Sequence, residues 1–178
     1  MRLASLAFLI YAAMILEAAL ARKNERAQFA RGGVEPAGDV YPLMQVVYPA
    51  AFAAMIAEGF VRAAPPAAVV FAGAAVFAIG KAVKWWAMAA LGPAWTFRVI
   101  VIPGAALVAS GPYRFLRHPN YVGVVGELVG AALVAGAVVT GPIAVAVFGV
   151  LLGARIRLEG RWLLTASKEH ASPHHRGT

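Results

Sequence analysis

VGVVGELVGAALVAGAVVTGPIAVAVFGVLLGARIRL, residues 122–158, is two apolar runs separated by Thr140-Gly-Pro142. The runs, Val122–Val139 and Ile143 to about Leu158, are each close to the roughly 17–25 residues that carry a helix across a bilayer. Gly-Pro between them is turn chemistry, so the stretch predicts a helical hairpin in a membrane. Gly123, Gly126 and Gly130 are spaced to line one helix face and let a second helix approach closely.

Upstream the same reading repeats. Leu3–Ala21, Leu43–Val61 and Ala67 to about Ala90 are three further predicted spans, the last running past Lys81 and Lys84. Glu17, and the want of a small-residue cleavage site after the first run, predict a retained span rather than a signal peptide. Arg22–Pro42 reads as a polar loop and Arg62-Ala-Ala-Pro-Pro66 as a tight connection. Val99–Ala109 is about half a span long and is broken by Pro103-Gly104. It predicts a re-entrant or interfacial segment packed on protein. The basic residues of 22–31, 81–117 and 155–176 mark cytoplasmic ends. The prediction is an all-α integral membrane protein of about five spans, with its N-terminus outside and its C-terminus cytoplasmic. It is one membrane domain over 1–178, with a three-span part at 1–97, a core at 98–163 and a polar tail at 164–178.

Composition points the same way. Hydrophobic residues are 61% of the 178, charged residues 13%, and mean hydropathy is +0.73. A water-soluble fold of this size would expose aggregating apolar patches. The net charge of +8 is gathered at span ends and in the tail, a pattern of positive-inside topology and anionic membrane lipid rather than of nucleic acid. Without cysteine, disulfide and thiol chemistry are excluded. Three of the four histidines, His170, His174 and His175, fall in the tail, and no metal site is expected.

Three features could carry chemistry. The first is GPYRFLRHPNY, residues 111–121. Pro119 fixes its own φ and pushes His118 out of the helical region, which presents His118, Asn120 and Tyr121 as a rigid turn before a span. The same stretch also reads as a cytoplasmic cap, with arginines on lipid phosphates and tyrosines at the interface. The second is Arg155 and Glu159, whose i, i+4 spacing puts them on one helix face. They form a simple ion pair, or a rim guanidinium able to hold an anion. The third is Glu127, an ionisable group inside a span and so a functional candidate, unless a neighbouring helix or Arg117 holds it. Trp85, Trp86 and Trp95 read as interfacial anchors, and Trp85 and Trp86 as walls for a lipid tail. No G-x-G-x-x-G, Walker, H-E-x-x-H or G-x-S-x-G motif occurs, which excludes a soluble-type Rossmann site.

GPYRFLRHPNYVG followed by RIRLEGRWL resembles the isoprenylcysteine carboxyl methyltransferase family of integral membrane proteins, over about Arg98–Leu163. The RHPNY core and the R-I-x-x-E element each match half of the family's signature. Three departures are visible: Gly160 stands where a second acid is common, Ala105 where eukaryotic members carry histidine, and the tail is short. The resemblance implies S-adenosyl-L-methionine as cofactor, lined by Leu107, Val108, Tyr113, His118, Pro119, Asn120 and Tyr121, with Glu159 on its amino-acid portion. It implies that Arg155 holds the acceptor's carboxylate; if the acceptor is instead a phenol or enol, the charge balance demands a base, and His118 and Glu127 are the candidates. The expected activity is O-methylation of a lipophilic small-molecule or lipid-anchored acceptor, a carboxylate or polyketide-type hydroxyl. The expected setting is the cytoplasmic face of a prokaryotic inner membrane. Other readings are a phospholipid or amine N-methyltransferase, a sterol-reductase-like NADPH enzyme, and a small transporter without enzymatic activity.

Overall fold

Where apolar runs carry no Gly-Pro break, the backbone can satisfy its own hydrogen bonds only as helix. The computed structural model, which describes residues 1–35, 37–102 and 108–170, has five long helices in this order: α1 Arg2–Ala30, α2 Tyr41–Val61, α3 Ala67–Leu91, α4 Pro119–Ala135 and α5 Thr140–His170. Short 3-10 turns occupy Gly92–Ala94 and Gly111–Arg114. The chain is an all-α membrane protein. α1, α2, α3 and α5 are long and apolar enough to cross a bilayer. The 17 residues of α4 stand at the lower limit of a span.

The helix ends follow local chemistry. Proline begins α4 and sits in the first turn of α2, where its missing N–H costs no hydrogen bond. Gly136 closes α4 at φ 76°, the left-handed cap that glycine adopts without strain.

α3 and α4 make the closest pairing. A methyl group added at Gly80 would lie 2.8 Å from the Gly123 carbonyl oxygen, and one at Gly73 would lie 2.9 Å from that of Gly130. Gly126 likewise faces the Gly80 Cα at 3.0 Å. The glycines of α4 thus meet glycines of α3. The apolar core (Ile10, Phe52, Met55, Leu128 and Phe148 among others) joins α1, α2, α4 and α5.

Four expectations need correction. The polar stretch after Ala21 is not a loop, for α1 continues to Ala30. ARKNERAQFA is rich in strong helix formers and reaches no glycine until Gly32. The extra turns are anchored on their inner face. Asn24 Nδ2 donates to the Trp95 and Gly92 carbonyls (2.8 and 3.2 Å), and Gln28 Nε2 to those of Pro93 and Ala94 (3.1 Å each). Second, the chain reverses at Gly136–Val139, and Thr140-Gly-Pro142 is already the first turn of α5. Glu58 stabilises that start by accepting from the Val139 and Thr140 amides at 3.1 and 2.7 Å, as an acid at a helix N-terminus does. Third, α5 runs on through the predicted polar tail to His170; His174 and His175 lie outside the described residues. Fourth, Trp95 is no rim anchor. It is 2% exposed and packs edge-on against Phe97, beneath the carbonyls that Asn24 and Gln28 hold. Of the predicted re-entrant segment, Val101 is extended and pairs with Val34 in an antiparallel bridge, while 103–107 lie outside the described residues.

Candidate functional site

The up-and-down order of the helices puts the start of α4 and the end of α5 at one end of the bundle, with the 31–40 connection and the segment after α3. Proline at the first position of α4 leaves His118 as the residue before the helix, at φ −133° and ψ 61°. Its ring stacks on Tyr121 with centroids 5.3 Å apart and planes 11° from parallel. Both side chains reach Glu159. The Tyr121 hydroxyl donates to Oε1, and His118 Nδ1 lies 3.6 Å from Oε2. The bend and the end of α5 therefore meet in space.

Arg155 completes the group. Its Nε donates to Glu159 Oε1 at 3.3 Å, the contact that the i, i+4 spacing predicts. It is 5% exposed, and sequence spacing gives no sign of its other partners. One terminal nitrogen donates to the Phe97 carbonyl. The other lies 3.7 Å from Asp39 Oδ1 and 3.9 Å from Met44 Sδ. Asp39 also accepts from the Tyr41 amide (3.0 Å) and the Val99 amide (3.1 Å), and so ties two connections to the guanidinium. The sole local signal for Asp39 is an acid just before a helix start. Nothing in the order of residues links it to a position on α5.

Tyr113, in the 3-10 turn, is half-buried near this group. Burial pushes its phenol up to about 12, and the Glu159 carboxylate adds to the rise. Asn120 Oδ1 is buried with no hydrogen-bond partner among the described residues. Pro119 is buried, Val108 half-buried, and Leu107 lies outside the described residues. Arg114, Phe115, Leu116 and Arg117 are exposed. The stretch thus has a membrane-rim side as well as a side turned to Glu159.

Glu127 joins a different cluster. Its Oε2 accepts from Tyr48 at 2.5 Å and lies 3.0 Å from Lys81 Nζ, and its Oε1 lies 3.6 Å from Lys84 Nζ. The two lysines also hold Glu17, at 3.1 and 2.6 Å. Two acids and two lysines thus balance inside the bundle, linking α1, α3 and α4. Trp85 serves this cluster, with Nε1 donating to Glu17 at 3.1 Å, and is half-exposed like Trp86. Trp86 stands beside the turn, its Nε1 3.3 Å from where a Cβ on Gly111 would be.

The architecture is thus a helical membrane protein with a polar site at one rim, where a His-Pro-Asn-Tyr bend faces an Arg/Glu pair. The profile of the isoprenylcysteine carboxyl methyltransferase (ICMT) family matches residues 72–165, which spans both elements. The chain belongs to this family, and that membership marks it as a membrane methyltransferase. The family's methyltransferases draw on S-adenosylmethionine as methyl donor. Among its relatives, the uncharacterized protein YpbQ of Bacillus subtilis (strain 168) is 34% identical over 147 residues, covering 83% of this chain and 88% of YpbQ. An uncharacterized Haemophilus influenzae protein is 23% identical over 138 residues, covering 77% of this chain and 80% of its own. No solved structure matches the chain.

Proposed function

We propose that the protein is an S-adenosylmethionine-dependent O-methyltransferase acting at the cytoplasmic face of a prokaryotic inner membrane on a lipophilic acceptor. The observation that carries this reading is the convergence of His118 and Tyr121 with Arg155 and Glu159. The residues suit the cofactor. A buried, unpartnered Asn120 oxygen is an acceptor awaiting a donor. Glu159 is a carboxylate whose side chain is still 22% exposed, placed to hold an ammonium group.

The cofactor supplies an electrophilic methyl on a sulfonium. The chain's part is to position, to exclude water and to manage a proton. Glu159 and Asn120 would orient the cofactor, with the Tyr121 and Tyr113 rings shielding it. Tyr113 stays a neutral phenol at physiological pH and adds no charge. Arg155 would meet the acceptor through the nitrogen that faces Asp39 at 3.7 Å, the least engaged of its three. Any acceptor oxygen there would share that nitrogen with Asp39; a carboxylate is already ionised, whereas a phenol or enol is not. A phenol or enol must lose a proton, and His118, whose Nδ1 lies 3.6 Å from Glu159 Oε2, would take it. Glu127, tied to two lysines and Tyr48, is left out of this scheme.

The test is a titration of detergent-solubilised protein with S-adenosylhomocysteine and with NADPH, read as thermal stability. A ligand at a hundred times its Kd adds about 2.7 kcal/mol. Stabilisation by S-adenosylhomocysteine alone is expected. A response to NADPH alone would replace the proposal with the reductase reading, and a response to neither with the transporter reading. Methyl-labelled cofactor incubated with a lipid extract then separates O- from N-methylated products.

A further inference from the structure

α1 and α3 are bridged by Glu17, Lys81 and Lys84 but leave a groove above that bridge. It holds about 530 Å³ and is lined by Leu20, Lys23 and Asn24 of α1, by Trp85, Met88 and Ala89 of α3, and by Gly92 and Pro93. None of its residues belongs to the His118–Glu159 group. We propose that this groove binds one anionic phospholipid, with its phosphate on Lys23 and Arg26 and the start of an acyl chain against Leu20 and Met88.

Three observations support the occupant. Lys23 lines the groove and Arg26 lies three residues further along the α1 extension; both are exposed, and among the described residues neither has an acid within ion-pair distance. Glu17, below them, is taken by Lys81, Lys84 and Trp85, and nearby Glu25 faces Arg98 at 3.7 Å. Asn24 is committed to the Trp95 carbonyl, so the free charge of the groove mouth is positive. Below the mouth, Leu16 and Leu20 lie one turn apart and are exposed at 71% and 41%, an apolar track leading into the bilayer. The volume far exceeds the ~30 Å³ share of a single water, which suits a headgroup rather than an ion alone. A basic pocket between membrane helices is a known chemistry for anionic headgroups.

The test uses native mass spectrometry of protein carried from nanodiscs of equal phosphatidylglycerol and phosphatidylcholine. Preferential retention of one phosphatidylglycerol is expected. The Lys23→Gln, Arg26→Gln double variant should lower that preference about 25-fold, since each basic group at an anionic surface counts for about fivefold. Ala89→Trp, which fills the groove and keeps both charges, should also displace the lipid. Equal retention of the two lipids overturns the proposal, and so does retention unchanged in either variant. Thermal unfolding of each variant, unaltered in detergent without lipid, shows that the loss is one of binding rather than of folding. None of these readouts involves methyl transfer, so they stand apart from the catalytic assignment.

Discussion

Glu159 is sought by three side chains at once: the Tyr121 hydroxyl, Arg155 Nε and His118 Nδ1. If it holds the cofactor's ammonium as proposed, Glu159→Ala should abolish stabilisation by S-adenosylhomocysteine, whereas His118→Ala should lose turnover on a hydroxyl acceptor. Arg155→Ala should keep that stabilisation and lose turnover; full turnover in that variant would reject its role with the acceptor. Tyr113 gives a prediction with a definite sign. Its phenol titrates near 10 when unfolded and at about 12 when folded. The folded state therefore holds the proton more tightly between those values. Stability from this group is complete below about 10 and is lost as pH rises through about 12. Tyr113→Phe should flatten that part of a stability-versus-pH curve. A curve of unchanged shape would show that the phenol is not buried as described.

At the scale of helices, two devices hold α3 in place. Its glycine seam with α4 leaves no room for a Cβ, so Gly80→Ala should cost about 1–3 kcal/mol through forced separation. The second device is the Glu17, Lys81, Lys84 and Glu127 network. Removing one member of a buried pairing leaves an uncompensated charge, at a cost of about 3–5 kcal/mol. Glu17→Ala should therefore lower the thermal midpoint in detergent more than Gly80→Ala does. A negligible shift would mean that lipid or water neutralises the lysines instead. The α1 extension works differently, because Asn24 and Gln28 hold the backbone that leads to Phe97, whose carbonyl takes Arg155. Asn24→Ala should leave the buried Trp95 carbonyl and the half-buried Gly92 carbonyl without their donor, costing about 1–3 kcal/mol.

For the molecule as a whole, the fold puts Ser110 and Val138 at opposite ends of the bundle, both exposed. The chain has no cysteine, so single substitutions report cleanly. With the site end cytoplasmic, Val138→Cys should react with an impermeant maleimide on intact cells, and Ser110→Cys only after lysis. The reverse pattern would turn the proposed orientation over.

The run of hydrophobicity alone determined that the chain is helical and lives in a membrane, because unbroken apolar runs of about 20 residues fit a spanning helix rather than the short alternating strands of a barrel. Local chemistry determined the pairs that lie within a turn or two: His118 with Tyr121, Arg155 with Glu159, and the spacing of the α4 glycines. Only the tertiary structure decided which of these meet across the bundle. It placed Glu127 with two lysines of a neighbouring helix rather than with Arg117, and Trp95 inside rather than at the rim. It also brought Asp39 to Arg155. Those contacts depend on helix rotation and packing, set by the sum of many close approaches, and no local period in the residues encodes that sum.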